Sequence, residues 1–194
     1  MPEPDDPLLK LNRWIGNARD AGLPSPASVA FITANLDAQP SARTVSLKRI
    51  EPDVLIFTTA LWTRKARELD ENAQVALLFH WPSLGRQVHV MGEAVLGERE
   101  LAVELWAERD LAHQLQTVVS RQGQPVSDLE EMRSLHHHLA HASGSPPACP
   151  ADWGVVRVRP RSFEFWNEAT DRLHDRLLFE RSSDGAWSYT RLSP

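Results

Sequence analysis

The chain has 194 residues, of which 42% are hydrophobic and 24% are charged, and its net charge at pH 7 is −5. This size allows a substantial core, so we expect a single domain over residues 1–194, and the acidic balance argues against a general nucleic-acid or membrane-surface binder. A single cysteine cannot form an intrachain disulfide. The acidic start argues against a signal peptide, and no apolar run approaches the roughly 18 residues of a membrane span. These features favour a cytoplasmic protein.

Helical signals come first along the chain. Asp6 followed by Pro7 is typical of an N-cap and first turn, and Leu8 and Leu11 begin an apolar helical face, so we expect a helix that ends near Gly22. Short β-rich runs follow at residues 28–34, 43–50, 54–59, 75–81 and 87–96. Consecutive strands with short connections predict an antiparallel sheet or barrel.

Helical patterns interrupt and follow these strands. We expect helices at residues 63–72 and 100–118, the second with a break near Asp110. Ser127 and Glu130 have the spacing of a capping box, which predicts a third helix to about Ala142. A Ser/Gly/Pro loop at residues 143–150 precedes further strands at 153–159, 162–166, 172–180 and 187–192. The expected fold is a barrel with peripheral helices.

Basic or titratable side chains alternate near the end of the chain, at Arg172, His174 and Arg176. In a strand these three would share one face at intervals of roughly 6.5 Å, which indicates an anion lying across them. The alternative is the solvated outer face of an edge strand.

Two other segments could contact an anion. Thr44, Ser46 and Lys48 would share one face of a strand, and Arg64 and Lys65 lie at the start of a predicted helix, where backbone N–H groups favour a phosphate. A solvated strand face and ordinary surface charges are the alternatives. The chain has neither GxGxxG nor a P-loop sequence, so the usual nucleotide-binding architectures are not predicted.

Histidines 136, 137, 138 and 141 raise the question of a metal site. His138 and His141 would share a helical face, but no carboxylate or thiolate at ligand spacing completes the set. We therefore predict no metal site.

Together these pieces resemble the pyridoxamine 5′-phosphate oxidase family over almost the whole chain. The motifs that carry the resemblance are Arg172-Leu173-His174-Asp175-Arg176, Glu164-Phe165-Trp166, Arg86-Gln87-Val88 and Ser120-Arg121-Gln122. The resemblance implies the FMN-binding split β-barrel fold, which is mainly β, antiparallel and Greek-key-like, with peripheral α-helices. It also implies FMN as the cofactor and a homodimer.

The resemblance further implies a set of FMN-binding residues, some of them supplied by the second subunit. These are Arg43, Thr44, Val45, Ser46, Leu47 and Lys48 along the flavin, Thr58 and Thr59 beside it, Arg64 and Lys65 on its phosphate, and Gln87, Gln122, Gly123, Trp166 and Arg176 around the rest. Gly123 stands where the family usually has a serine, which weakens one polar contact.

For the substrate, the resemblance implies that Lys48 and Arg109 hold a phosphate, while Arg172 and His174 face the reacting ring as the catalytic residues. Two positions depart from the family pattern. Leu105 replaces a phosphate-binding tyrosine, and His113 replaces a phosphate-binding serine. A protonated His113 could still donate to a phosphate, so it remains in the predicted substrate site.

The resulting hypothesis is an oxidase that converts pyridoxamine or pyridoxine 5′-phosphate to pyridoxal 5′-phosphate, with O₂ as acceptor and H₂O₂ as product. Leu105 and His113 motivate an alternative, a flavin oxidase of secondary metabolism of the phenazine type, although those relatives often lack the lysine found at Lys48. A third alternative is a protein that binds a flavin or pyridoxal phosphate without turnover.

Overall fold

An antiparallel sheet of nine strands forms the centre of the computed structural model, which describes residues 6–142 and 145–194. The elements, in chain order, are α1 (Pro7–Asp20), β1 (Ser28–Ala34), β2 (Pro40–Ser46), β3 (Arg49–Glu51), β4 (Val54–Ala60), α2 (Arg64–Glu71), β5 (Gln74–Trp81), a 3₁₀ turn (Pro82–Leu84), β6 (Arg86–Leu96), α3 (Arg99–Ala107), α4 (Leu111–Val119), α5 (Leu129–His141), β7 (Trp153–Asn167), β8 (Asp175–Arg181) and β9 (Trp187–Leu192). The prediction of a mainly β, antiparallel protein with peripheral helices is confirmed.

Helix α1 begins as its sequence predicts. The Asp6 carboxylate accepts hydrogen bonds from Leu8 N at 2.8 Å and Leu9 N at 3.2 Å, and Pro7 occupies the first turn, where its missing N–H costs nothing. Leu8 and Leu11 face the core, and the helix ends at Asp20, close to the predicted end.

The sheet has the order β2-β1-β5-β6-β7-β4-β3, and β8 and β9 extend it from β7. Strand β7 pairs with β4 along its first half, with β8 along its second half, and with β6 from Val156 to Asn167. The two strands predicted at 153–159 and 162–166 are therefore one strand of 15 residues. An irregularity in the pairing falls at Gly92, where a side chain would meet the Arg159 carbonyl oxygen at 2.4 Å, so this close approach requires glycine.

The strand predicted at 43–50 is interrupted, because the chain changes its pairing partner there. Strand β2 pairs with β1 up to Ser46, whereas β3 pairs with β4 from Arg49. Between them Leu47 N donates to Ala27 O at 3.0 Å and Lys48 N donates to Ile56 O at 2.8 Å. This crossing places Lys48 between two parts of the sheet.

The helical segments after β6 largely follow the prediction. The break near Asp110 is confirmed, since Asp110 caps α4 and accepts from His113 N at 2.9 Å. The predicted capping box at Ser127 is wrong. The cap of α5 is Asp128, whose carboxylate accepts from Glu130 N at 2.8 Å and from Glu131 N at 3.1 Å. Of the predicted loop at 143–150, residues 143 and 144 lie outside the described residues.

The strand predicted at 172–180 begins three residues later, at Asp175. Arg172 has a positive φ of 68°, its N–H donates to Ala169 O at 3.2 Å, and Leu173 N donates to the Asp171 carboxylate at 2.9 Å. These bonds make a turn, so Arg172 and His174 do not share a strand face with Arg176, and that expectation is wrong.

Two apolar clusters fill the interior. Strand β4 is buried on both faces, as expected for an uninterrupted apolar run. Leu55 and Phe57 belong to the larger cluster beneath α1, and Ile56 belongs to a second cluster with Leu105 and Trp106 of α3. Within the described residues, no helix combines the length and apolar character needed to cross a membrane.

Candidate functional site

A cavity of about 230 Å³ is lined by residues from β2, β4, α4 and the start of α2. It brings together many residues that the sequence assigned to a cofactor or substrate: Thr44, Val45, Ser46, Lys48, Thr58, Thr59, Lys65, Arg109, His113 and Gln122. Sequence reasoning missed other lining residues, namely Ala60, Trp62, Gln116, Thr117, Ser120 and Trp153. Most of the missed residues are neutral and carry no motif, so contact in space alone identifies them.

Lys65 is a buried cation in the cavity wall. Its ammonium donates to Thr59 Oγ1 at 2.8 Å and to Thr63 Oγ1 at 3.4 Å, and 7% of the residue is exposed. Burial, with a smaller effect of nearby Arg43, lowers the pKa of Lys65 to about 8. No carboxylate among the described residues forms an ion pair with it, so an anion in the cavity would gain a partly desolvated partner.

Lys48 and Arg109 place two more cations on the cavity wall. Burial lowers the pKa of both, and the proximity of Arg109 lowers the pKa of Lys48 further, while Asp110 acts in the opposite direction on each. Arg109 Nη2 donates to Thr117 Oγ1 at 3.2 Å, and its guanidinium lies 4.7 Å from the centroid of the Trp153 ring. A cation held against an aromatic ring is fixed in place without being neutralised.

Several buried polar atoms of the lining residues have no hydrogen-bond partner among the described residues. They are Thr58 Oγ1, Trp62 Nε1, Arg109 Nε and Trp153 Nε1. Leaving a buried donor unpaired costs about 1–3 kcal/mol. Their concentration around one cavity fits a polar ligand or ordered water that accepts hydrogen bonds there.

The two departures from the family pattern have different environments. His113 lines the cavity, and its Nδ1 lies 2.5 Å from Asp110 Oδ2, so one ring nitrogen is engaged by a carboxylate. Leu105 is 3% exposed, packs beside Trp106 in the second apolar cluster and does not line the cavity. The helix α3 therefore supplies no polar group at position 105.

Arg43, Leu47 and Arg64, predicted beside the cofactor, do not line this cavity. Leu47 is buried in the larger apolar cluster. The Arg43 guanidinium donates to Phe31 O at 3.0 Å, and Arg64 Nε donates to Glu68 Oε1 at 2.6 Å. Sequence reasoning missed Glu68, although its position four residues after Arg64 on one helix was a usable signal.

Gln122 and Gly123 lie in a turn closed by a bond from Gln124 N to Arg121 O at 3.0 Å. Gln122 lines the cavity, whereas Gly123 does not. Gly123 has a φ of 83°, which glycine adopts readily and serine does not, so the local backbone accounts for glycine here. The guanidinium of Arg121 lies 5.2 Å from the centroid of the Trp62 ring.

A second group of predicted residues lies on neighbouring strands. Gln87 of β6, Trp166 of β7 and Arg176 of β8 occupy paired positions and therefore share one face of the sheet. Arg176 Nε donates to Glu164 Oε1 at 2.8 Å on the same face. None of these four residues lines the cavity.

His174 packs against this second group from the turn that precedes β8. Its ring centroid lies 4.7 Å from that of Trp166, and its Nδ1 accepts a hydrogen bond from Ala169 N at 3.2 Å. A neutral His174 therefore carries its proton on Nε2, which is left available as a donor. Arg172 is exposed in the same turn.

The two groups lie at opposite ends of β7. Trp153, at the first position of the strand, lines the cavity, and Trp166, near its last position, contacts His174. Other cavity residues are nearer: paired positions lead from Thr44 through Ala30, Leu78 and His89 to Glu164 of the second group, four strand spacings or about 19 Å across the sheet, which is still more than a side chain reaches. One chain therefore keeps the cavity and the His174 group apart.

A cavity beneath α1 is less suited to an anion. With a volume of about 490 Å³, it is lined by α1 and the β3–β4 turn, and its charged lining residues are Asp6, Glu51 and Asp53. No group of three or more His, Cys, Asp or Glu side chains in residues 6–142 and 145–194 is arranged to hold a metal ion.

The chain matches two family models. The model described as "Pyridoxamine 5′-phosphate oxidase" matches residues 16–135, and the one described as "Pyridoxine 5′-phosphate oxidase C-terminal dimerisation region" matches residues 153–194. Together they cover the cavity and the Trp166–His174 group.

Two relatives that match almost the whole chain carry different names. A pyridoxine/pyridoxamine 5′-phosphate oxidase of Rubrobacter xylanophilus is 41% identical over 190 residues, covering 97% of this chain and 87% of the relative. A dihydrophenazinedicarboxylate synthase of Pseudomonas chlororaphis is 34% identical over 191 residues, covering 98% of this chain and 85% of the relative.

Solved structures agree with these matches. PhzG from Burkholderia lata, crystallised with tetrahydrophenazine-1-carboxylic acid, superposes with a TM-score of 0.90 at 31% identity, covering 100% of this chain and 95% of that one. An FMN-binding protein from Nostoc punctiforme, related to pyridoxamine 5′-phosphate oxidase, gives a TM-score of 0.77 at 18% identity, covering 93% and 95%. They confirm the split β-barrel fold, and the matches as a whole support an oxidase. The chain belongs to the pyridoxamine 5′-phosphate oxidase family.

Proposed function

We propose that the protein is an FMN-dependent oxidase that converts pyridoxamine or pyridoxine 5′-phosphate to pyridoxal 5′-phosphate, with O₂ as acceptor and H₂O₂ as product. The observation that carries this proposal is the presence of Lys48, Lys65 and Arg109 around one cavity, with no carboxylate in ion-pair contact among the described residues. Two phosphorylated molecules, a cofactor and a substrate, would balance these charges.

The residues present suit the phosphate of FMN. Arg64 and Lys65 lie in the first turn of α2, where free backbone N–H groups and the helix dipole favour an anion. Thr58 Oγ1, a buried atom without a partner among the described residues, lies in the neighbouring strand. Arg64 and Lys65 would hold the phosphate, and Thr58 and Thr59 would border the flavin.

Two other cations of the cavity wall suit a substrate phosphate. Lys48 and Arg109 would bind it, and Arg109 is already oriented by Trp153 and Thr117. A protonated His113 would add a donor from Nε2, since its Nδ1 is engaged by Asp110.

Arg172 and His174 are proposed to hold the substrate ring. When bound, the flavin supplies the two-electron redox chemistry, taking electrons from the substrate and passing them to O₂. The chain positions the ring: His174 would present its Nε2 proton, held in place by Trp166 and Ala169, and Arg172 would contribute a positive charge from the turn. Trp166 and Gln87 would cover the flavin and exclude water.

A homodimer is part of the proposal. Within one chain the cavity residue Thr44 lies four strands, about 19 Å, from Glu164 beside Trp166, so a single chain does not bring the cavity and the His174 group together. A second copy, joined through residues 153–194, would bring its His174 group to the cavity of the first. A monomeric mass by light scattering of the FMN-loaded protein would contradict this arrangement.

The test is a visible spectrum of the purified protein followed by anaerobic addition of pyridoxine 5′-phosphate. A flavin spectrum that bleaches, with H₂O₂ formed when air is admitted, is the expected result. A turnover rate equal to that of free FMN, or a purified protein that binds no flavin, would end the proposal.

A second candidate is a flavin oxidase of secondary metabolism that acts on a carboxylated ring. Leu105 favours it, because a buried leucine supplies no donor to a phosphate, and the structure of PhzG with tetrahydrophenazine-1-carboxylic acid belongs to a similar protein. The two candidates are separated by measuring anaerobic bleaching with each substrate. Bleaching by a reduced phenazine carboxylic acid and not by the phosphorylated vitamer would favour the second.

A further inference from the structure

Glu68 is a buried carboxylate at the centre of a polar cluster of side chains from β1, β2 and α2. Its side chain is 5% exposed. Oε2 accepts from Ser41 Oγ at 2.5 Å, from Thr33 Oγ1 and from Arg43 Nη2 at 3.4 Å, while Oε1 accepts from Arg64 Nε at 2.6 Å. A single carboxylate thus joins β1, β2 and α2.

Glu68 remains charged in this environment. Burial alone would raise its pKa, but the hydroxyl donors of Ser41 and Thr33, with the Arg64 guanidinium, lower the pKa to about 2. The charge is held by both hydrogen bonds and cations, which is the condition under which a buried carboxylate is tolerated.

The two arginines depend on Glu68 to different degrees. Arg43 also donates to Phe31 O at 3.0 Å and to Thr33 Oγ1 at 2.7 Å, so it keeps partners if Glu68 is lost. The side chain of Arg64 is 59% exposed, and among the described residues its guanidinium is hydrogen-bonded to Glu68 alone. Because that bond uses Nε, the terminal nitrogens of Arg64 remain available to a ligand.

We propose that Glu68 is a positioning residue for cofactor binding, which holds Arg64 at the start of α2 with its terminal nitrogens directed to the phosphate of FMN. This inference rests on the proposed function, because it assigns Arg64 to that phosphate. Glu68 itself would not touch the cofactor.

Two opposite effects of removing Glu68 can be told apart. If the negative charge of Glu68 mainly repels the phosphate, its loss would strengthen FMN binding. If Glu68 mainly orders Arg64, its loss would weaken binding, because a freed arginine side chain must be immobilised again when the ligand binds. The hydroxyl donors and two guanidinium groups already offset the charge, which favours the second effect.

The experiment measures binding of FMN and of riboflavin to the apoprotein by quenching of flavin fluorescence, for the wild type and for Glu68→Gln. Riboflavin lacks the phosphate, so it reports the rest of the site. We expect the Kd of FMN to rise about tenfold, which corresponds to about 1.4 kcal/mol, with the Kd of riboflavin unchanged. Glu71→Gln, which alters an exposed carboxylate on the same helix, is the matched control and should change neither value.

Each other outcome has a definite meaning. Unchanged or tighter FMN binding in Glu68→Gln would overturn the positioning role, and an equal loss of FMN and riboflavin affinity would assign Glu68 to general stability instead. A wild-type protein that binds riboflavin as tightly as FMN would instead contradict the proposed cofactor site.

Two further variants keep the test decisive. If Glu68→Gln does not fold, Glu68→Asp keeps the charge but withdraws the carboxylate by about 1.5 Å, and the same selective loss of FMN affinity is expected. In an Arg64→Gln background, Glu68→Asp should have no additional effect on FMN binding. An additional loss there would show that Glu68 does not act through Arg64.

Discussion

The guanidinium of Arg109 lies over the indole of Trp153, with 4.7 Å between Arg109 Cζ and the ring centroid. A second indole, that of Trp106, lies 5.8 Å away. Neither ring neutralises the charge, and Arg109 Nε has no partner among the described residues. Arg109 is therefore oriented before any ligand arrives, at a cost in desolvation that binding of an anion would offset.

Replacement of Arg109 should separate binding from stability. Arg109→Met keeps an apolar chain against Trp153 but removes the charge, so we expect the KM for pyridoxine 5′-phosphate to rise about 10- to 100-fold, as for the loss of a charge-assisted hydrogen bond. Thermal stability should be equal or higher, because a desolvated cation without an ion pair is removed. The control is Arg133→Met, which alters an exposed arginine paired with Glu130 and should leave KM unchanged.

The pKa of Lys65, about 8, predicts how cofactor affinity depends on pH. Below this value the ammonium is charged and attracts a phosphate; above it the group becomes neutral in the apoprotein. We expect the Kd of FMN to rise as pH increases above about 8, by at most about tenfold per unit. Lys65→Met should bind FMN weakly at pH 7 and lose this dependence, and a wild-type Kd that stays constant to pH 10 would contradict the assignment.

Stability should change with pH in the opposite direction. The pKa of Lys65 is about 8 in the folded apoprotein and about 10.5 in the unfolded chain, so the unfolded chain binds more protons between these values. The contribution of Lys65 therefore increases the free energy of unfolding as pH rises from about 8 to 10.5. Denaturant titrations of wild type and Lys65→Met across this pH range measure that contribution. The same dependence of the free energy of unfolding on pH in both proteins would argue against the buried ammonium.

The positive φ of Arg172 predicts a difference between two variants that both remove its guanidinium. Arg172→Gly fits a φ of 68°, whereas Arg172→Ala keeps a Cβ that this conformation disfavours, so the glycine variant should be equally or more stable. Both should have the same reduced kcat/KM if the guanidinium acts on the substrate. If kcat/KM is instead higher in Arg172→Gly than in Arg172→Ala, the conformation of the turn matters more than the charge of Arg172.

Leu105 should behave as a core residue. Leu105→Ala is expected to lower the free energy of unfolding by about 2–5 kcal/mol, because it opens a cavity in the cluster under α3. Leu36→Ala, at a position that is 76% exposed, should change it by less than about 0.5 kcal/mol. Denaturation with urea compares them, and a small effect at Leu105 would mean that the site is not packed as described.

The features that could be predicted from sequence are local ones. Asp6 and Pro7 mark the start of α1 because the cap and the first turn lie within four residues. Asp110 marks the break between α3 and α4 for the same reason. The resemblance to the family then supplied most of the residues that line the cavity, since it transfers positions that no local pattern identifies.

The features that were missed depend on contacts between distant segments. Glu68 contacts Thr33, 35 residues earlier, and Trp153 joins the cavity from a strand that the sequence indicates only as apolar. The Arg172 turn was mistaken for strand because alternating charges occur in both. Asp171, whose carboxylate accepts a hydrogen bond from Leu173 N, is a turn-forming residue and was a signal against a strand at Arg172.

The separation of the two groups across the sheet has a genetic consequence. In the proposed homodimer each site takes its cavity from one chain and its His174 group from the other, because the sheet keeps them apart within a chain. A chain altered at Lys65 and a chain altered at His174 would each form inactive homodimers, yet a mixed dimer of the two would contain one unaltered site. Two defective alleles, one altered at Lys65 and the other at His174, should therefore complement each other when expressed together.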